Sequence, residues 1–146
     1  MQNGLGLAEI LSGQSEPTEV IRPVATKHLF LLSAGSLPPN PGELVGSKKM
    51  QEIITSLREQ YDYILIDSPP VMQVSDAVLL STIVDGVVLV VSSQETPKYV
   101  VREACSRLRY ARAKILGVTL NRVDLRSGDY AYYHRLYYAQ YPSVGL

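Results

Sequence analysis

Four short, almost unbroken apolar runs decide what this chain can become. They are "LFLLSAG" at residues 29–35, "YDYILIDSPP" at 61–70, "GVVLVVSS" at 86–93 and "KILGVTLNRVD" at 114–124. Such runs, too short for helices and ended by glycine, proline or polar residues, read as strands buried on both faces. Between them stand segments of helical period. Met50, Ile53, Ile54 and Leu57 recur on one side of a helix opening at Ser47, with Lys48, Lys49, Glu52 and Arg58 outside. "SDAVLLSTIV" opens at Ser75 or Asp76, and Thr96-Pro97 starts a helix lined by Val100, Ala104, Leu108 and Ala111. A short helix, "LGLAEILSG", comes first and closes at Gly13; residues 14–26 read as a loop, and Asn40-Pro41 as a cap and first helical residue. Strands alternating with helices predict an α/β fold, a parallel sheet with helices on both faces.

Composition narrows the function classes. At 146 residues the chain is one domain by size, with 46% hydrophobic and 19% charged residues. Its 14 basic and 14 acidic side chains balance, so charge gives no reason to expect nucleic acid as a partner. One cysteine, Cys105, excludes an internal disulfide and suits a reducing compartment. "GVVLVV" is too short to span a bilayer, and the opening residues lack the charged segment of a secretion signal. A cytosolic α/β domain is expected.

In open parallel sheets ligands bind beyond the carboxyl ends of the strands. The informative residues are therefore Asp67-Ser68-Pro69-Pro70, Ser92-Ser93-Gln94 and Asn121-Arg122. A carboxylate held by a rigid strand, as Asp67 is, suits magnesium, which keeps several waters and needs one or two carboxylates; the alternative is that it caps a turn. Asn121 can meet an adenine edge through its amide, or form a turn. Asp76 reads first as a helix cap. Lys98, Arg102, Arg107, Arg109, Arg112 and Lys114 make one helix basic, interrupted by Glu103, and read as a solvated face. The chain has ten tyrosines, one phenylalanine and no tryptophan, and six tyrosines crowd the end: Tyr130, Tyr132, Tyr133, Tyr137, Tyr138 and Tyr141. The residues alone allow an aromatic packing patch or a set of phosphoacceptors.

"YDYILIDSPPVMQVSDA" closely resembles the Walker B region of the bacterial tyrosine kinases of capsule and exopolysaccharide synthesis, which belong with the MinD and ParA proteins among the deviant P-loop ATPases. "LFLLSAGSLPPNPGELVGSKKM", "VDGVVLVVSSQET" and "ILGVTLNRVD" resemble further segments of that family, and the tyrosine-rich end resembles its autophosphorylation cluster. Ser68 stands where the family more often has threonine. The resemblance runs from about Gly4 to Tyr141. It implies ATP and Mg2+ as cofactors, with Asp67 as the catalytic Walker B residue at the metal. Asn121 and Arg122 would lie at the nucleotide base, and the six tail tyrosines would be acceptors. It implies a partial P-loop domain over residues 1–126 and a tail over 127–146. As partners it implies further copies or an intact kinase subunit in a ring, and a membrane adaptor of polysaccharide export at the inner face of the plasma membrane. One departure is large. No GxxxxGK[ST] loop occurs and no Walker A′ motif precedes Asp67. The chain is expected to be the C-terminal portion of such a kinase, inactive alone, with "YILID" lacking a neighbour. The alternatives are a non-catalytic substrate or interaction module of an intact kinase, and a MinD/ParA-like fragment, against which the tyrosine tail argues.

Overall fold

A computed structural model of the chain describes residues 4–124 and 126. The fold divides into two compact units between Val84 and Asp85.

The first unit is built around α4 (Lys48–Arg58). Ser47 Oγ accepts from the Met50 N–H at 3.2 Å, satisfying one of the donors a helix start leaves open. The helix then buries Met50, Ile53, Ile54 and Leu57, the four residues its spacing predicts. It serves two clusters. Ile53 and Leu57 pack with Ile10 and Val20, flanked by Leu11, Ile21, Leu32, Tyr61 and Ile64. Met50 and Ile54 pack with Leu80, flanked by Leu7, Val45, Ile66 and Ile83. Around this spine lie α1 (Leu7–Leu11), α3 (Pro41–Val45) and α5 (Asp76–Ser81). As expected, Gly13 closes α1, with φ +76°, and Pro41 is the first residue of α3.

Two expectations change here. The stretch read as a loop over 14–26 contains α2 (Pro17–Val20) and β1 (Arg22–Pro23). Pro17 opens α2 with φ preset, and Glu16 N–H donates to the Glu19 carboxylate at 2.9 Å. The run "LFLLSAG" is a strand only at β2 (Phe30–Leu31), which pairs antiparallel with β1 and is exposed. A short turn returns the chain, with Val24 N–H donating to Leu29 O at 3.1 Å and His28 at φ 60°. Phe30 is not buried on both faces; it meets the edge of Tyr61 with ring centroids 5.3 Å apart. "YILID" enters no ladder among the described residues. Ile64 and Ile66 turn into the two clusters while Tyr63 and Leu65 are 89% and 94% exposed. That is the alternation of a strand with one face served and no neighbour, the exposure expected of it.

A carboxylate without a motif around it organises the start of this unit. Glu9 is buried; its oxygens accept from Gly6 N–H at 2.7 Å, from Ser36 N–H at 3.2 Å and from the Ser36 hydroxyl. Leu7 and Ala8 N–H groups donate to Ser33 and Ala34 carbonyls at 2.8 and 2.9 Å. The Ser36 hydroxyl, helped by the Ser36 and Gly6 amides, holds the Glu9 carboxyl below its ordinary range against the opposing effect of burial. A lowered folded value means stability that is fully present above the ordinary glutamate range and lost as pH falls through the folded value. Glu9→Gln is therefore expected to lower the urea midpoint near neutral pH, and the gap from the parent chain to narrow below about pH 4. A gap that stays constant into acid would show that the charge contributes nothing.

The second unit is a parallel pair, β3 (Val87–Ser92) and β4 (Ile115–Asn121), joined through α6 (Lys98–Tyr110). Val88 pairs with Gly117 and Ser92 with Asn121, after a one-residue irregularity at Val87. Helix α6 packs along β4 and buries Ala104 and Leu108. The α/β class with a parallel sheet holds. Within this unit α6 is the layer packed on the pair. Val88, Val90, Leu116, Val118 and Leu120 stand 49–63% exposed. The runs read as doubly buried because every position is apolar, whereas these five side chains are exposed. No helix of the described residues is long and apolar enough to cross a membrane.

Candidate functional site

Asp67 ends its apolar run and is exposed, with no hydrogen bond or ion pair to any described residue. The turn beyond it is fixed by backbone. Gln73 and Val74 N–H groups donate to Pro70 O at 3.0 and 3.4 Å, and the Ser68 hydroxyl stays local, donating to Pro69 O at 3.4 Å. A carboxylate capping a turn would be consumed by an N–H; this one is not. Asp76 is the first residue of α5, with Ser75 at the cap position and no side-chain cap bond, so the capping expectation for Asp76 is not met. Among the described residues no group of three or more His, Cys, Asp or Glu side chains could hold a metal. Asp67 alone fits magnesium that keeps most of its waters, and the described residues supply no cradle for phosphates.

At the carboxyl end of the β3–β4 pair the side chains are more engaged. Asn121 Oδ1 accepts from Arg122 N–H at 2.8 Å, and Arg122 takes φ 54°, a left-handed position for a non-glycine residue. Its carbonyl accepts from the Ser93 hydroxyl at 2.9 Å, and its guanidinium pairs with Glu95. Ser93 N–H closes the edge by donating to Asn121 O at 2.9 Å. The Asn121 side-chain oxygen thus shapes the turn, and its amide N–H groups make no hydrogen bond with any described residue. Ser92 Oγ is buried without a hydrogen-bond partner at this same edge, opposite Asn121 in register.

The structure thus brings Asn121 and Arg122 together with Ser92, Ser93 and Glu95 in the second unit; Asp67 belongs to the first. Ser92 and Ser93 were legible as residues following a strand, whereas Glu95 carried no signal, because its partner lies 27 positions away. Tyr130, Tyr132, Tyr133, Tyr137, Tyr138 and Tyr141 lie outside the described residues.

No protein-family model matches the chain. Curated relatives do. The chain is 36% identical over 134 residues to the tyrosine-protein kinase YwqD of Bacillus subtilis, covering 91% of this chain and 56% of YwqD. It is 34% identical over 135 residues to the putative tyrosine-protein kinase CapB of Staphylococcus aureus, covering 92% and 59%. Among solved structures, the kinase domain of the Escherichia coli tyrosine kinase ETK superposes with a TM-score of 0.82 at 30% identity, over 88% of this chain and 50% of that one. The chain spans little more than half the length of these first relatives. With the parallel α/β architecture and the carboxylate-ended run in place, the chain belongs to the bacterial tyrosine kinase family, as a partial kinase domain matching the C-terminal part.

Proposed function

We propose that this chain is the Walker B and acceptor portion of an ATP-dependent protein-tyrosine kinase that controls capsule or exopolysaccharide synthesis and export. Residues 1–126 form the partial kinase domain and residues 127–146 the acceptor tail. The observation that carries the reading is the similarity to tyrosine-protein kinases along 91% of the chain. The free carboxylate of Asp67 at the end of its run supports it. Asp67 would hold magnesium through water, and the Asn121 amide, with Arg122 beside it, would meet the nucleotide base. ATP and Mg2+ supply the phosphoryl group and neutralise its charge when bound. A tyrosine hydroxyl, with pKa near 10, needs a positioned carboxylate to take its proton as the new O–P bond forms. With no phosphate loop in its sequence, the chain alone is inactive, and a partner kinase subunit supplies the missing half. The remaining partners are further copies in a ring and a membrane adaptor, which would hold the assembly at the inner face of the plasma membrane. A second reading, a non-catalytic substrate module of an intact kinase, is favoured by the same missing loop.

Intact-mass measurement of the chain after incubation with Mg-ATP, alone and with an intact kinase of the family, tests this. Phosphate is expected only with the partner, and Tyr→Phe at all six tail positions is expected to abolish it. Phosphate on the chain alone, phosphate at Tyr61 or Tyr110, or none under either condition would overturn the reading.

A further inference from the structure

The basic helix was read as an ordinary solvated face, with Glu103 among its cations. In space Glu103 interrupts nothing. Successive helix residues turn by about 100°, so Lys98, Arg102 and Arg109 fall within about 40° of one another along one flank of α6. Glu103 stands on the opposite flank, where it pairs with Arg107 at 3.2 Å. Lys98, Arg102 and Arg109 are exposed and make no hydrogen bond or ion pair with any described residue. Beside this row, at the crest of the helix, stand Tyr99 and Tyr110, 73% and 94% exposed. The result is a strip about 16 Å long of three unneutralised cations edged by two aromatic rings.

We propose that this strip of α6 is the docking site of the chain's own tail, residues 127–146, once its tyrosines carry phosphate; the inference rests on the acceptor reading above. Charge supports this occupant. The tail holds one aspartate, Asp129, and one arginine, Arg135, so it has little pull on a cationic row until it is modified. Each phosphate then adds roughly −1.5 to −2. Guanidinium groups bind phosphate through paired N–H donors, and tyrosine faces stack on a phosphotyrosine ring.

The topology supports it too. The Arg122–Glu95 ion pair and the Ser93 hydroxyl on Arg122 O fasten the end of β4 to the β3–α6 turn. The chain therefore leaves the sheet at the end where α6 begins. Tail tyrosines two to four residues apart would sit about 7–13 Å apart on an extended chain. That range brackets the about 10 Å between Arg102 and Arg109. A membrane of anionic lipid is a poorer match, because three cations on a chain of zero net charge give weak adsorption. Docking in the same chain would retire the modified tail from any neighbouring site and mark the subunit as used.

The test titrates the full chain into a fluorescent peptide of residues 127–146 carrying phosphotyrosine at positions 133 and 137, with the unmodified peptide and phosphatidylserine vesicles as parallel arms. The phosphopeptide is expected to bind at least tenfold more tightly than the unmodified one. Arg102→Gln with Arg109→Gln is expected to remove at least tenfold of that affinity, and Arg102→Lys with Arg109→Lys to keep part of it. Circular dichroism checks that the variants, all at exposed positions, stay folded. Equal affinity of the two peptides, phosphopeptide binding unchanged by the double Gln variant, or vesicle binding that depends on these arginines without any preference for the phosphopeptide would each overturn the inference. Because the peptide is synthetic, its failure to bind says nothing about whether a kinase modifies the tail, and the mass measurement above decides that separately.

Discussion

Gly6→Ala is expected to destabilise the chain by about 2–3 kcal/mol, a change of about thirtyfold to 150-fold in the folded population. Gly6 is in ordinary extended backbone, so the cost is not conformational strain. It is space. A methyl group there would overlap the backbone N and Cα of Gly35 and the carbonyl oxygen of Ser33. None of those atoms is the free end of a side chain. Moving them would stretch the Leu7–Ser33 and Ala8–Ala34 hydrogen bonds and pull Ser36 from the Glu9 carboxylate. A buried carboxylate that loses its donors is itself unfavourable. Gly4→Ala is the control, since nothing lies within 4 Å of a methyl group there, and it should change stability by less than about 0.5 kcal/mol. Urea midpoints at equal transition slope measure both. A Gly6→Ala midpoint equal to that of Gly4→Ala would mean the clasp yields freely.

The parts of this fold that were legible were those in which one short window carries the whole cause. Helix α4 announces itself because its cap, its apolar spacing and its charged face lie within twelve residues. Strands β3 and β4 are legible for the same reason. The run at 29–35 misleads because an unbroken apolar run has no period, so it cannot report that its neighbour is a two-residue edge strand and not a sheet. The Glu9 clasp was invisible, since Glu9 and Ser36 are 27 positions apart and neither stands in a motif. The candidate site divides along the same line. Asp67 could be found from the end of its run, and Asn121 from the end of its own. The role of Asn121 in turning the chain, the Glu95 partner of Arg122 and the separation of Glu103 from the cationic row of α6 are facts of three-dimensional placement. Glu103 is the sharpest case, because adjacent in sequence on a helix means 100° apart in space.

The open apolar face of β3 carries the other large expected effect. Val88 and Val90, two apart on β3, share one face and stand 54% and 63% exposed, while Val118 and Leu120, in register with Leu89 and Val91, are exposed on the other; neighbouring exposed apolar side chains of this kind serve as contact sites. Parallel strands are ordinarily buried on both faces, and these side chains are exposed. The chain by itself is therefore expected to self-associate, with light scattering giving a mass above 16.1 kDa that rises with concentration. Val88→Thr with Val90→Thr is expected to weaken that association by about thirtyfold or more. Each valine removed from an apolar contact forfeits about 1 kcal/mol, and threonine keeps the branched shape that suits a strand. Since the two side chains are 54% and 63% exposed, the same double variant should leave the unfolding midpoint of the isolated chain nearly unchanged. The pairing of the two outcomes gives the test its force. Lost association with kept stability marks a surface waiting for a covering layer, such as a partner kinase subunit would bring. Lost stability with kept association would mean that these valines already sit in a core, and the open face would not exist. A monomeric parent chain with an ordinary cooperative transition would show that the patch is tolerated in water, and that the half of a kinase domain represented here stands by itself.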